Sequence, residues 1–349
     1  MKTYRWATLG CGVIANELAQ ALAKRGQKLY SVSNRTHSKA VAFAEKYGIE
    51  KVYEHLEDVF EDENVDIIYI STPHNTHIEY LRKALAAKKH VLCEKSITLN
   101  SDELEEVVAL AKENGVVLAE AMTIYHMPLY KALREKMNSG DLGELRLLQM
   151  NFGSYKDYDM TNRFFNRNLA GGAMLDIGVY ALSFVRWFMS SAPDQVVSQV
   201  KYALTGVDEQ ASILLKNPEE EMASVILSLH AKQPKRGTIA FDKGYVEIYE
   251  YPRAEKAVIT YTETGETETI EDGCTADALS YEVADMENAV VMSKTESIDA
   301  SEILAKNAEK VKQLSASPEN GMYLEYTRDV MKIMTDIRKQ WHMTYPEEE

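Results

Sequence analysis

Two stretches of this 349-residue chain have residue types and spacings suited to holding a phosphorylated cofactor. The first is Gly10-Cys11-Gly12-Val13-Ile14-Ala15. In Gly-x-Gly-x-x-Ala the first glycine permits a tight turn out of a strand and the second lets backbone approach a pyrophosphate. The small third residue lets the following helix pack on that strand. The helix start supplies free N–H groups and about half a unit of positive charge to the phosphates. The pattern follows a β-prone run and opens a helical one, which is the context that separates nucleotide binding from a simple tight turn. The second stretch is Asn34-Arg35, with Lys39 nearby, at the end of the second strand-like run. An NAD site usually places an acidic residue there to accept from the ribose 2′-hydroxyl. Asn34 can bond a ribose without repelling a 2′-phosphate, and Arg35 can grip that phosphate with two N–H groups. The reading is NADP in preference to NAD, with dual use open and a solvated basic loop as the plain alternative.

Three further groups carry polar chemistry. Lys95 stands at the carboxyl end of an expected parallel strand, where open α/β sheets place ligands. Its ammonium suits an oxyanion and would lower the pKa of a neighbouring phenol. Asp176 and Tyr180 are four apart on an expected helix, which puts them on one face. Taken alone, they read as a helix-start carboxylate and a half-buried tyrosine. His74 and His77 have the spacing of a metal pair, but no third or fourth ligand accompanies them and they straddle a strand-to-helix turn, so no metal is expected. Cys93, beside Glu94-Lys95, reads as a small apolar residue ending a buried strand rather than a reactive thiol.

Those residues require a scaffold that alternates strands and helices. Residues 4–9, 29–33, 66–71, 90–93 and 116–119 read as strands, with helices over 13–25, 38–47, 76–87 and from Asn100 to Gly115. Repeated β-α-β units predict an N-terminal, doubly wound parallel sheet of Rossmann type over residues 1–121. From 122 to 349 the pattern predicts an α+β domain for substrate binding and oligomerisation. It has a helix near 128–137, a strand over 145–152, a helix over 172–188 and six or seven β-prone runs in 195–270, forming a large, mainly antiparallel sheet. Helices over 280–292, 301–314 and 322–341 complete it, the last expected to pack back on the N-terminal domain.

Composition narrows the partners. With 39 Lys and Arg against 54 Asp and Glu, the net charge of −15 repels phosphate backbones, and no basic stripe offsets it, so nucleic acid is excluded. Three scattered cysteines suit a reducing cytoplasm better than a disulfide framework. Neither end reads as a leader, and no stretch reads as membrane-spanning. One face of the second domain's sheet suits a homodimer or a higher homo-oligomer.

Beyond the glycine turn, Ser71-Thr72-Pro73-His74-Asn75-Thr76-His77, Cys93-Glu94-Lys95-Ser96, Glu120-Ala121-Met122 and Gly171-Gly172-Ala173-Met174-Leu175-Asp176-Ile177-Gly178-Val179-Tyr180 occur in fitting order. With them the chain resembles the Gfo/Idh/MocA oxidoreductases over nearly its whole length. It is most similar to the branch of dihydrodiol and NADP-dependent xylose dehydrogenases, which shares the Asp-x-Gly-x-Tyr ending. The resemblance implies hydride transfer between a nicotinamide cofactor and a hydroxyl or carbonyl carbon of a sugar, polyol or diol. It makes Lys95 the catalytic lysine and Tyr180 the proton donor or acceptor, with Asp176 orienting a substrate hydroxyl. Ser71, Thr72, Pro73, Asn75, His77 and Glu94 fall on the cofactor side, while Tyr125 and Arg163 are candidate substrate contacts beside His126 and Phe164. The family's usual Glu-Lys-Pro reads Glu94-Lys95-Ser96 here, which keeps the charged pair and changes the residue that shapes the loop. Two other readings fit the same fold: an NAD-dependent glycoside hydrolase and a non-catalytic dinucleotide sensor. Lys95 and Tyr180 argue against the sensor.

Overall fold

The computed structural model describes residues 3–295 and 321–349, so the helix expected over 301–314 lies outside the described residues. The chain divides into two compact units, each drawn from separated stretches.

The first unit takes the described residues of Met1–Thr98, Asp102–Ala121 and Leu279–Glu325. Its strands are β1 (Trp6–Leu9), β2 (Ser31–Ser33), β3 (Lys51–Val52), β4 (Ile67–Ile70), β5 (His90–Glu94) and β6 (Leu118–Ala121). They form one sheet in the order β3-β2-β1-β4-β5-β6, with parallel pairing throughout. All four residues of β1 and of β4 are buried, because helices cover both faces of such a sheet and leave no side for alternation. Those helices are α1 (Val13–Lys24), α2 (His37–Tyr47), α3 (Asp58–Glu61), α4 (His77–Ala86) and, for its Asp102–Asn114 part, α5 (Ser101–Asn114). Strand order reverses across β1, between β2 and β4, which is where a doubly wound sheet opens a crevice beyond its strand ends. From the far end of the chain this unit takes α8 (Ala278–Thr295), after α6 (Pro128–Asn138) and α7 (Val179–Phe188), rather than the last helix, α9 (Leu324–Gln340). Glu287 of α8 anchors it, accepting from Trp6 Nε1 at 3.2 Å and from Arg25 Nη2 at 2.9 Å.

The second unit comprises Leu99–Ser101, Met122–Ala278 and Tyr326–Glu349. Its sheet has eight strands: β7 (Leu145–Gly153), β8 (Gln195–Tyr202), β9 (Asp208–Lys216), β10 (Met222–Ser228), β11 (Arg236–Phe241), β12 (Gly244–Tyr249), β13 (Lys256–Tyr261) and β14 (Thr267–Glu271). Their order is β14-β13-β12-β11-β7-β10-β9-β8, antiparallel except where β10 lies parallel to β7. The meander expected from turn signals is therefore a mixed sheet, because β7 enters between β10 and β11 from across α7. Strand residues alternate: Ala211, Ile213 and Leu215 of β9 are buried while Gln210, Ser212 and Leu214 are exposed. Burying large side chains at about 1.5–3 kcal/mol each, α7 packs Phe184, Trp187 and Phe188 into this core. Contrary to the sequence expectation, one stretch does have membrane-spanning length and apolarity. Arg167–Phe188 runs 22 residues, but 78% of its most apolar window is buried inside the protein, as befits a core helix.

Candidate active site

The glycine turn leaves β1 where the sheet reverses. Gly10 has φ +100°, and a Cβ there would sit 2.9 Å from both Ser71 O and Ser71 Oγ, so only glycine fits. Its N–H donates to Ser33 O at 2.8 Å, fixing the turn against β2. Cys11 is half-buried, with a thiol pKa raised by burial and opposed by Lys39. Gly12 caps α1 with no side-chain bond to the helix and no acidic residue in the first turn. A Cβ on Gly12 would meet nothing within 4 Å, and Val13 is 81% exposed, whereas Ala15 is fully buried. Free N–H groups at an uncapped helix start, open space beside them and a small residue packed behind are what a dinucleotide pyrophosphate needs, so the residues fit the cofactor. Ile14 is half-buried. Asn34, also half-buried, follows β2 and bonds Thr36 O at 3.0 Å, and Arg35 beside it is exposed.

The loops after β4 and β5 are tied together by histidines. Ser71 Oγ donates to Leu9 O at 3.0 Å, and Thr72 Oγ1 accepts from Thr76 Oγ1 at 2.8 Å. Pro73 is exposed and Asn75 half-buried, in the short turn that leads into α4. His77, expected on the cofactor side, is fully buried, with Nδ1 2.9 Å from Ser96 O and Nε2 2.8 Å from Thr72 O. Two carbonyls ask for two N–H donors, yet burial outweighs them and holds the ring's pKa below its ordinary value. His77 is thus a brace between two loops, with no surface to offer a cofactor. His74 does similar service, its Nε2 3.0 Å from Lys95 O, so the histidine pair faces backbone carbonyls.

Glu94 ends β5, accepts from the Tyr69 hydroxyl and receives the Lys95 N–H at 3.3 Å. Lys95 is half-buried, and its peptide bond to the buried Ser96 is cis. Cys93 is buried, Sγ 3.9 Å from Ile97 O, with its pKa pushed up by burial and by the charges of Glu94 and Glu120. That is an inert strand thiol.

In the second unit, Asp176 and Tyr180 share an unusual segment. Met174–Gly178 winds as a π-helix and continues as α7 from Val179. Four residues therefore subtend a smaller angle here than the α-helical spacing predicts. From Ala170 to Met189 every residue is buried except these two. A side chain on Gly178 between them would push aside Leu227 and Met174, since a Cβ would lie 2.9 Å from Leu227 Cδ1 and 3.0 Å from Met174 Sδ. Arg163 is mostly exposed, with its guanidinium 3.6 Å from Asp176 Oδ1 and 4.3 Å from the centre of the Phe164 ring. The Phe152 ring lies 6.2 Å from Tyr180 and 5.9 Å from Tyr251. Tyr251 is a fully buried phenol whose pKa is raised by burial and then by Tyr180. The sequence marked neither; a strand-end Phe and a turn Tyr have no local signature.

Tyr125, expected as a substrate wall, is instead core. It is fully buried and stacks on Trp187 at 5.8 Å, with Tyr326 edge-on at 5.9 Å. His126 is buried with it.

A family model described as an oxidoreductase family with an NAD-binding Rossmann fold matches residues 4–122, and a GFO/IDH/MocA C-terminal domain matches 130–247. The chain is 33% identical over 250 residues to trans-1,2-dihydrobenzene-1,2-diol dehydrogenase of Mus musculus, covering 70% of this chain and 74% of the relative. The Homo sapiens enzyme of that name is 33% identical over 248 residues, again 70% and 74%. Among solved structures, a 3-ketoreductase from Actinomadura kijaniata in complex with NADP and TDP-benzene superposes with TM-score 0.80 at 20% identity, covering 97% of this chain and 98% of that one. An aldose-aldose oxidoreductase from Caulobacter crescentus matches with TM-score 0.80 at 21% identity and 97% of each chain. The chain belongs to the Gfo/Idh/MocA family of NAD(P)-dependent oxidoreductases.

Proposed function

We propose that this enzyme is an NADP-preferring dehydrogenase or reductase acting at a hydroxyl-bearing carbon of a sugar, polyol or diol. The observation that carries the reading is that Asp176 and Tyr180 are the two residues of the twenty in Ala170–Met189 that are half-buried rather than buried. A helix that buries everything else has no packing reason to expose a carboxylate and a phenol. When bound, the nicotinamide accepts or returns a hydride at the substrate carbon. In oxidation the hydroxyl proton passes to Tyr180 acting as its phenolate, which becomes the phenol, while the Lys95 ammonium stabilises the alkoxide as it develops. Asp176 accepts from a neighbouring hydroxyl, and a diol or sugar supplies one. The cofactor is held by the turn from Gly10 to Ala15, by Ser71, Thr72, Pro73 and Asn75, and by Glu94. Asn34 and Arg35 favour a 2′-phosphate. The names of its relatives and neighbours, a diol dehydrogenase, a 3-ketoreductase and an aldose-aldose oxidoreductase, support this substrate range.

The test is a panel of aldoses, polyols and diols with NAD and with NADP, read at the nicotinamide absorbance, on the parent and Lys95→Met. The variant should bind NADPH and lose nearly all turnover; full retained activity overturns the assignment. We read the enzyme as a cytoplasmic homodimer. Its three cysteines form no disulfide, and one sheet face exposes Val197 beside Leu214, Met222 beside Leu147, and Tyr245 and Tyr249. Light scattering that gives a monomer at micromolar concentration refutes the dimer.

A further inference from the structure

The segment bearing Asp176 and Tyr180 starts at Gly171-Gly172, and this turn is gripped from two sides. On one side is the loop that carries Arg163: Gly171 N donates to Asn166 O at 3.0 Å and Gly172 N to Phe164 O at 2.9 Å. A Cβ on Gly171 would stand 2.6 Å from Arg163 O. On the other side are two fully buried polar side chains. The Tyr345 hydroxyl donates to Gly171 O at 2.8 Å, and Asp208 Oδ2 accepts from Met174 N at 2.6 Å. Gly172 has φ +127°, and a Cβ there would lie 2.1 Å from Asp208 Oδ1, an atom with no hydrogen-bond partner among the described residues.

Tyr345 is itself held from its own tail. Its N–H donates to Glu348 Oε2 at 2.8 Å, and Glu348 receives Arg338 through Nη1 at 2.7 Å and Nη2 at 2.8 Å. The Arg338 guanidinium also lies 4.8 Å from the centre of the Tyr345 ring and donates to Leu99 O. Arg167 fastens the same tail, donating through Nε to Thr344 O at 2.9 Å. Neither Asp208 nor Tyr345 has surface with which to touch a substrate. Two buried polar groups that converge on one turn are costly to desolvate and add little to a core already filled by aromatic side chains. What they do fix is the turn's orientation, and through it the direction of the first π turn.

We propose that Asp208 and Tyr345 are positioning residues of the reaction, holding the Gly171-Gly172 turn so that Asp176 and Tyr180 keep their aim. The proposal rests on the catalytic reading of Asp176 and Tyr180 given above.

Tyr345→Phe removes one hydrogen bond and keeps the ring; Asp208→Ala removes the acceptor and Asp208→Asn restores one. The full-length proteins are assayed for oxidation of trans-1,2-dihydrobenzene-1,2-diol and D-xylose with NADP, for NADPH affinity by fluorescence, and for amide exchange in peptides spanning 171–180. Tyr180→Phe is run beside them. In Tyr345→Phe and Asp208→Ala we expect kcat to fall about tenfold to a hundredfold, with NADPH affinity unchanged and faster exchange at 172–178. Asp208→Asn should recover most of what Asp208→Ala loses. Parental kcat together with parental exchange in Tyr345→Phe overturns the proposal. Parental turnover in Tyr180→Phe overturns the catalytic reading instead, and exchange then still reports whether the clamp holds the turn. If Tyr345→Phe does not fold, the Asp208 pair decides, and equal kcat in its two variants overturns the proposal.

Discussion

Asp208 should make the second unit less stable as pH rises through the weakly acidic range, and Asp208→Asn should abolish that trend. The carboxyl is fully buried, and burial pushes its pKa from the ordinary 3.8 up to about 7, against the N–H groups of Met174 and Ala173 and the charge of Arg338. Arg338 is the charged group that acts on it, and the neighbouring Tyr345 phenol in turn feels Asp208, Arg338, Glu348 and Arg167. A carboxyl whose folded pKa is raised binds more protons folded than unfolded between those two values, so stability falls as pH rises across that window and is flat above it. At 1.36 kcal/mol per pH unit, the rise from 3.8 to about 7 corresponds to a change on the order of 4 kcal/mol. Asparagine keeps an acceptor for Met174 N and cannot ionise. Trp6 lies in the first unit, and Trp187 and Trp341 in the second, so in a Trp6→Phe background tryptophan emission reports the second unit alone. Urea unfolding of that protein, with and without Asp208→Asn, is followed from pH 4 to 8. The variant should gain on its parent steadily between about pH 4 and pH 7. Parallel curves, with a difference constant to about 0.5 kcal/mol, would show that Asp208 ionises at its ordinary pKa and refute the reasoning.

Other expectations follow from single contacts. Arg338 is 2% exposed and pairs with Glu348, so Arg338→Ala strands a half-buried carboxylate and the Leu99 carbonyl; urea unfolding should show a loss of about 3–5 kcal/mol. Arg35→Glu places a negative charge where we propose that the 2′-phosphate is read, and the ratio of kcat/KM for NADP over NAD should fall by about tenfold or more. A ratio within twofold of parent removes Arg35 from cofactor selection. Cys93 should resist alkylation by iodoacetamide in the native protein and react only after unfolding, because burial both shields its thiol and raises its pKa. Mass spectrometry of labelled peptides checks this, and native labelling at Cys93 ahead of Cys11 would contradict it.

Legibility in the sequence follows the reach of each interaction. The Rossmann unit was readable because its signals are local: an apolar run buried on both faces, a Gly-x-Gly turn, and helices ending at glycines. Lys95 was placed by the same logic, at a strand end. The second unit defeats that logic wherever partners are distant. Asp208 meets Met174 across 34 positions and Tyr345 meets Gly171 across 174, so neither residue sits in a pattern that a window of sequence can show. Tyr125 looked like a pocket wall because an aromatic beside a histidine in a loop is ambiguous until Trp187 is seen stacked on it. The parallel pairing of β10 with β7 was hidden because turn signals report only neighbouring strands.

The π turn is the most telling case. An i, i+4 rule assumes 3.6 residues per turn, and Met174–Gly178 contains no proline; the lone Gly178 signals a weak helix but not a wider winding. Its cause lies partly outside the segment. Met174 N is drawn to Asp208, and Gly178 lets the segment close against Leu227 of β10. With one end of the segment tethered and the other pressed to the sheet, a wider turn is the way to bury Leu175, Ile177 and Val179 while leaving Asp176 and Tyr180 facing out. The two residues that the sequence selected for chemistry therefore owe their exposure in part to Asp208, which the sequence did not select.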